Sequence, residues 1–162
     1  MKSSQSVIHN LQSSLTPLDY AYRLLARRAY SEQELTDKLL AKGFTIVAVT
    51  RTVARLKTQG YLDDVRLAAD QVERLRSRGF GSEGIRAKLA QKGLSANSVE
   101  QTLETSGENQ DLKSAQRLLA SRFSADALKE PQTYARAFRL LLRRGYSQEV
   151  VESLLGSAPE DG

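Results

Sequence analysis

From Pro17 to Leu155 apolar side chains recur every three or four residues, and no stretch keeps the period of two that a half-buried strand requires. The pattern predicts an all-α chain. Leu18, Tyr22, Leu25 and Ala29 form the first stripe, behind Thr16-Pro17, an N-cap followed by proline at the first helical position. Ser31 restarts the chain with Glu34 in capping-box position, and Leu35 and Leu39 line a short second helix. Lys42-Gly43 then offers a cation to the last carbonyls and a residue free to turn left-handed. Thr45 caps a third helix lined by Val49, Val53 and Leu56, which Gly60 ends.

The same grammar continues. Val65, Ala69, Val72 and Leu75 predict a fourth helix, with Asp63-Asp64 where its N-cap belongs. Gly79-Phe80 turns the chain, Ile85 and Leu89 line a fifth helix, and Lys92-Gly93 stops it. Ser95 caps a sixth with Val99 and Leu103; Leu112, Ala115 and Leu119 open a seventh. Tyr134, Phe138, Leu141 and Leu142 line an eighth, and Ser147 caps a ninth with Val151 and Leu155. Residues 105–110 read as a polar linker and 123–131 as a longer loop. Residues 1–16, with five serines and one charge, read as a disordered tail carrying His9, and 157–162 as an acidic tail.

The helices repeat. Shifted by 50, Arg28-Ala29-Tyr30 falls on Arg78-Gly79-Phe80, and Leu35, Lys38, Leu39, Lys42 and Gly43 fall on Ile85, Lys88, Leu89, Lys92 and Gly93. Shifted by 116, Arg28-Ala29-Tyr30-Ser31 falls on Arg144-Gly145-Tyr146-Ser147. A three-helix unit of this size buries little surface alone, so stacked units are expected to build an elongated tandem array. Its expected parts are 17–60, 61–106 and 111–156, about nine helices in all. The aromatic of each Arg-(Ala/Gly)-(Tyr/Phe) turn is expected to pack as a plug between helices rather than to stack on a base.

Composition narrows the chemistry. With one histidine and no cysteine among 162 residues, the chain has no thiolate site, no disulfide, and too little histidine for a metal centre or a catalytic triad. It has no phosphate-binding glycine loop, no nucleophile elbow and no apolar run long enough for a membrane span. The glycine-rich run from Gly79 to Gly84 joins helix to helix without a following Lys-Ser/Thr, so a nucleotide site there is not expected. The reading is a protein that is not an enzyme, with no catalytic residue, cofactor or metal.

What remains is a net charge of +5, carried by 16 Arg against 8 Lys, and Arg suits planar recognition of phosphate or carboxylate. The charge is in blocks: 66–92 carries +4 and 113–144 carries +6, whereas 93–112 and 145–162 each carry −4. Under the shift of 116, Arg139, Arg143 and Arg144 fall on Arg23, Arg27 and Arg28, so two units display the same trio on a polar helix face. The middle unit keeps Arg78 and adds Arg74. Arg76 stands in an otherwise apolar column with Ala26 and Leu142, and either snorkels at the helix end or points into a groove. A solvated face laced with ion pairs to Glu32, Glu34, Asp37 or Glu73 weighs evenly against a face for a polyanion or an acidic protein.

Four blocks, in order and at fitting spacing, resemble the bacterial RecX regulatory proteins. They are Ser31-Glu32-Gln33-Glu34-Leu35, Gly60-Tyr61-Leu62-Asp63-Asp64, the run from Arg76 to Ser95, and Arg143-Arg144-Gly145-Tyr146-Ser147. The resemblance covers roughly residues 17–156. Leu67 and Ser82 stand where the family usually carries Phe and Pro. The resemblance implies a curved array of three-helix repeats that binds the RecA recombinase filament on DNA and restrains its growth, strand exchange and coprotease activity. It makes the middle unit the main contact surface. It also implies a cytoplasmic monomer partnered by RecA and by single- or double-stranded DNA. The contact candidates are Arg23, Arg27 and Arg28; Arg74, Arg76, Arg78 and Arg86; and Arg136, Arg139, Arg143 and Arg144. The competing reading is a helix-turn-helix DNA-binding regulator independent of RecA, with 46–56 as recognition helix. A third is a structural adaptor whose basic face is idle.

Overall fold

The computed structural model describes residues 15–106 and 109–156; His9, the tail up to residue 14 and the acidic tail 157–162 lie outside the described residues. Among the described residues there are nine α-helices, one short 3₁₀ turn (Ala127–Lys129) and no strand. None of these helices is long and apolar enough to cross a membrane. The chain divides into two compact units, 1–63 and 64–162.

The first unit holds α1 (Pro17–Leu25), α2 (Glu32–Ala41) and α3 (Ile46–Thr58). Thr16, Ser31 and Thr45 cap them, each side chain accepting the N–H three residues on. At Thr16 the box is reciprocal, because Asp19 accepts the Thr16 N–H in return. The stripes meet in one core of Ala21, Leu24, Tyr30, Leu35, Leu39, Val49, Leu56 and Leu62. Tyr61 lies outside it, half-exposed, edge-on to the Tyr22 ring at 5.2 Å.

The second unit holds α4 (Asp64–Ser77), α5 (Ser82–Gln91), α6 (Ala96–Thr105), α7 (Gln110–Arg122), α8 (Pro131–Arg143) and α9 (Gln148–Leu155). Helix α4 packs on α5 and α6 over Ala68, Val72, Leu75, Ile85, Leu89, Leu94, Val99 and Leu103. Helix α9 packs on α7 and α8 over Ala115, Leu118, Leu119, Ala137, Leu141, Tyr146 and Val151. Four positions depart from the expected stripes, Ala29, Val65, Ala69 and Leu142, all of them exposed. Val65 is 46% exposed while Ala68 is buried, and Leu142 is 42% exposed beside a fully buried Leu141. Adjacent helical residues point about 100° apart, so a stripe centred on Ala137 and Leu141 turns Leu142 outward.

The start of α5 joins the two cores of this unit. Gly81, at its N-cap position, has no side chain to satisfy the helix's unpaired N–H groups. Partners far along the chain do so instead. The Gly81 N–H donates to the Arg144 carbonyl (2.9 Å), the Ser82 N–H to the Asp111 carboxylate (2.8 Å), and the Glu83 and Gly84 N–H groups to the Gly145 carbonyl (3.1 and 3.3 Å). The plugs behave as core residues: Tyr30 and Tyr146 are buried, and Phe80 packs at the edge of its cluster. Gly79 and Gly145 turn with φ +78, as the motif requires. Asn109 is the one non-glycine with positive φ among the described residues, so Ala29 makes its turn with other backbone angles.

Candidate functional site

The eleven candidate arginines separate by what their guanidinium groups touch. Four are engaged within the chain. Arg28 lies over the Tyr30 ring, 3.7 Å from its centre, and forks onto Glu34. That hydrogen-bonded pairing raises its pKa above the ordinary arginine value. Arg86 forks onto Glu100, and the hydrogen bonds raise the arginine and lower the Glu100 carboxyl. Arg144 donates to the Arg78 carbonyl at 2.7 Å and covers the Phe80 ring at 4.8 Å. Arg76 is largely enclosed, with its side chain 10% exposed, 3.8 Å from Asp111 and with a buried, unpaired Nε–H. So the third member of each trio turns back onto the fold, and the first two stay outside.

The other seven, Arg23, Arg27, Arg74, Arg78, Arg136, Arg139 and Arg143, have exposed side chains. In the first unit Arg23 and Arg27 stand at the end of α1, with Asp19 one turn before Arg23 and close enough to feel its charge. In the second unit Arg74 and Arg78 mark the end of α4, and Arg136, Arg139 and Arg143 follow one another along α8.

The last three share a groove with Arg122 at the end of α7. Its volume is about 620 Å³, and Phe123, Leu140 and Leu142 supply its apolar surface. Four guanidinium groups line it and no carboxylate does. Phe123 is held there because the chain leaves α7 at this residue in extended conformation, φ −137 and ψ 138. Arg122 and Phe123 went unnamed by sequence reasoning. Arg122 ends α7, Phe123 opens the loop read over 123–131, and both border the groove only once the chain has returned through 124–131.

A second cavity, of about 400 Å³, lies within the second unit where α4, α5, α6, α7 and α9 converge. Arg76 and Arg86 open on it, opposed by Glu100, Glu104, Asp111 and Glu149. Acid outnumbers base there, so it is no anion site. The glycine-rich run from Gly79 to Gly84 offers no phosphate cradle either, because its N–H groups at 81–84 are spent on Asp111, Arg144 and Gly145.

A family model for the first three-helix domain of RecX matches residues 18–56. A Regulatory protein RecX of Xanthomonas campestris pv. campestris (strain B100) is 37% identical over 131 residues, 81% of this chain and 80% of that protein. One from Chromohalobacter salexigens is 35% identical over 147 residues, 90% of this chain and 95% of its own length. Among solved structures, the crystal structure of RecX from Lactobacillus salivarius superimposes with a TM-score of 0.70 at 18% identity, over 85% of this chain and 90% of that one. A crystal structure of regulatory protein RecX gives 0.74 at 20% identity, over 87% and 72%. At that identity the two structures speak to the fold.

Proposed function

The chain belongs to the RecX family of regulatory proteins, and from that premise we propose that it binds the RecA filament on DNA and restrains its growth. On this reading it lowers the filament's ATPase, strand-exchange and coprotease activities, and so moderates DNA repair and the SOS response from the cytoplasm, as a monomer and without catalysis. The observation that carries the proposal is sequence similarity to RecX proteins over most of both chains. The partner itself comes from the family resemblance.

The surface supports a regulator that works by contact. Seven of the candidate arginines keep their charge available at the surface, and three of them line a groove without carboxylates. Exposed charge of one sign steers a protein toward an oppositely charged assembly and makes the attraction salt-sensitive. The helix-turn-helix alternative finds less to work with. The first turn of α3, which would meet the base edges, exposes Ile46 and Val47 at 59% and 66%, and neither offers a hydrogen bond to a base.

The test is co-sedimentation with RecA assembled on single-stranded DNA. The full chain is expected to pellet with the filament. The double charge reversal Arg139→Glu/Arg143→Glu, with unchanged far-UV circular dichroism, is expected to weaken that binding about tenfold or more. Failure of the wild-type chain to pellet would overturn the proposal; unchanged binding by the variant would remove α8 from the contact surface.

A further inference from the structure

We infer that the groove between the end of α7 and α8 seats one strand of unpaired nucleic acid, its phosphates on the arginine rim and a base face on the apolar surface. The inference deepens the proposed contact with a DNA-bound filament, but its evidence and its test involve the groove alone. The rim is all arginine. Arg136, Arg139 and Arg143 follow α8 for about 10 Å at the helical rise, and Arg122 adds a fourth charge from α7. Gathering four like charges in one groove costs self-repulsion that only an anion relieves. Each guanidinium grips a phosphate in the plane of its fork and also lies flat on a base.

The apolar lining selects the form of the nucleic acid. Leu142 is 42% exposed, Leu140 and Phe123 are partly exposed, and all three lie among the arginines rather than apart from them. A duplex keeps its base faces in the stack and presents phosphates and groove edges, which leave such a surface uncovered. A single strand presents base faces that an aromatic ring and apolar side chains can cover. At about 620 Å³ the groove falls in the size range of small-molecule sites, enough for a nucleotide. An acidic peptide would also meet the rim, and the test separates it.

The experiment measures fluorescence anisotropy of a labelled oligothymidylate, a duplex of the same length and a glutamate-rich peptide against the full chain, without RecA, across a salt series. The single strand is expected to bind about tenfold tighter than the duplex, with affinity falling steeply as salt rises. The triple variant Arg136→Gln/Arg139→Gln/Arg143→Gln is expected to flatten the slope of log affinity against log salt by about 2. Leu142→Ser, at a position outside the core, is expected to weaken the single strand about fivefold or more and leave the duplex unchanged. Equal affinity for the two DNA forms, wild-type slope in the triple variant, or binding of the peptide in place of DNA would overturn the inference. Loss of oligonucleotide binding with intact filament co-sedimentation would sink the groove alone, and the converse result would sink the filament reading alone.

Discussion

Gly145 holds a position that no other residue can occupy without moving its surroundings. Its φ is +78, and a Cβ built there would lie 2.0 Å from the Gly84 nitrogen. Its carbonyl accepts two of the N–H groups that begin α5. Gly145→Ala is therefore expected to destabilise the chain by about 2 kcal/mol or more, from left-handed strain and overpacking together. Urea denaturation followed by circular dichroism checks this, and wild-type stability would refute it. Beside it, Tyr146 is 1% exposed and its hydroxyl is 2.9 Å from that of Ser114. Burial pushes the phenol up from its ordinary value of 10.0. A phenol held neutral in the fold ionises first in the unfolded chain, so its stabilisation is intact below about pH 10 and is lost as pH climbs through the raised value. Tyr146→Phe is expected to cost about 1 kcal/mol at neutral pH, from the lost hydroxyl pair. It should also shallow the fall of stability above pH 10, read by urea titrations at stepped pH; an unchanged alkaline slope would count against this account of the buried hydroxyl.

The helices show which physical signals survive in a linear sequence. Thr16, Ser31, Thr45, Ser95 and Ser147 all cap where the capping residues were read, because a cap bond spans only three residues. Ser147→Ala, which removes the acceptor for the Val150 N–H, is expected to cost about 1 kcal/mol, checked by the shift in urea midpoint. Apolar stripes were legible for the same local reason, with Val65, Ala69 and Leu142 misplaced by one step around their helices. What stayed hidden rests on pairs distant in sequence. Arg86 finds Glu100, Asp111 finds Ser82, and Arg144 finds Phe80 and the Arg78 carbonyl. Spacing alone did not show that Arg28, Arg76, Arg86 and Arg144 serve the fold while Arg139 and Arg143 face solvent. The groove depends likewise on α7 and α8 meeting across an irregular stretch, so Arg122 and Phe123 gave no local sign.

For the whole chain, charge and fold divide the work. The second unit contains the +6 block, yet Arg144 in that block serves packing, and four of its other arginines, Arg122, Arg136, Arg139 and Arg143, gather on α8 and the end of α7. The first unit keeps Arg23 and Arg27 outside while Arg28 is spent on Tyr30 and Glu34. On the proposed function the chain acts through binding that weakens as salt screens its arginines. The most direct measurement of that role is RecA ATPase on single-stranded DNA during titration with the full chain. The account predicts that substoichiometric protein lowers the rate, and that Arg139→Glu/Arg143→Glu needs about tenfold more protein for the same effect. An ATPase rate unchanged at every ratio, with the added chain folded, would contradict it.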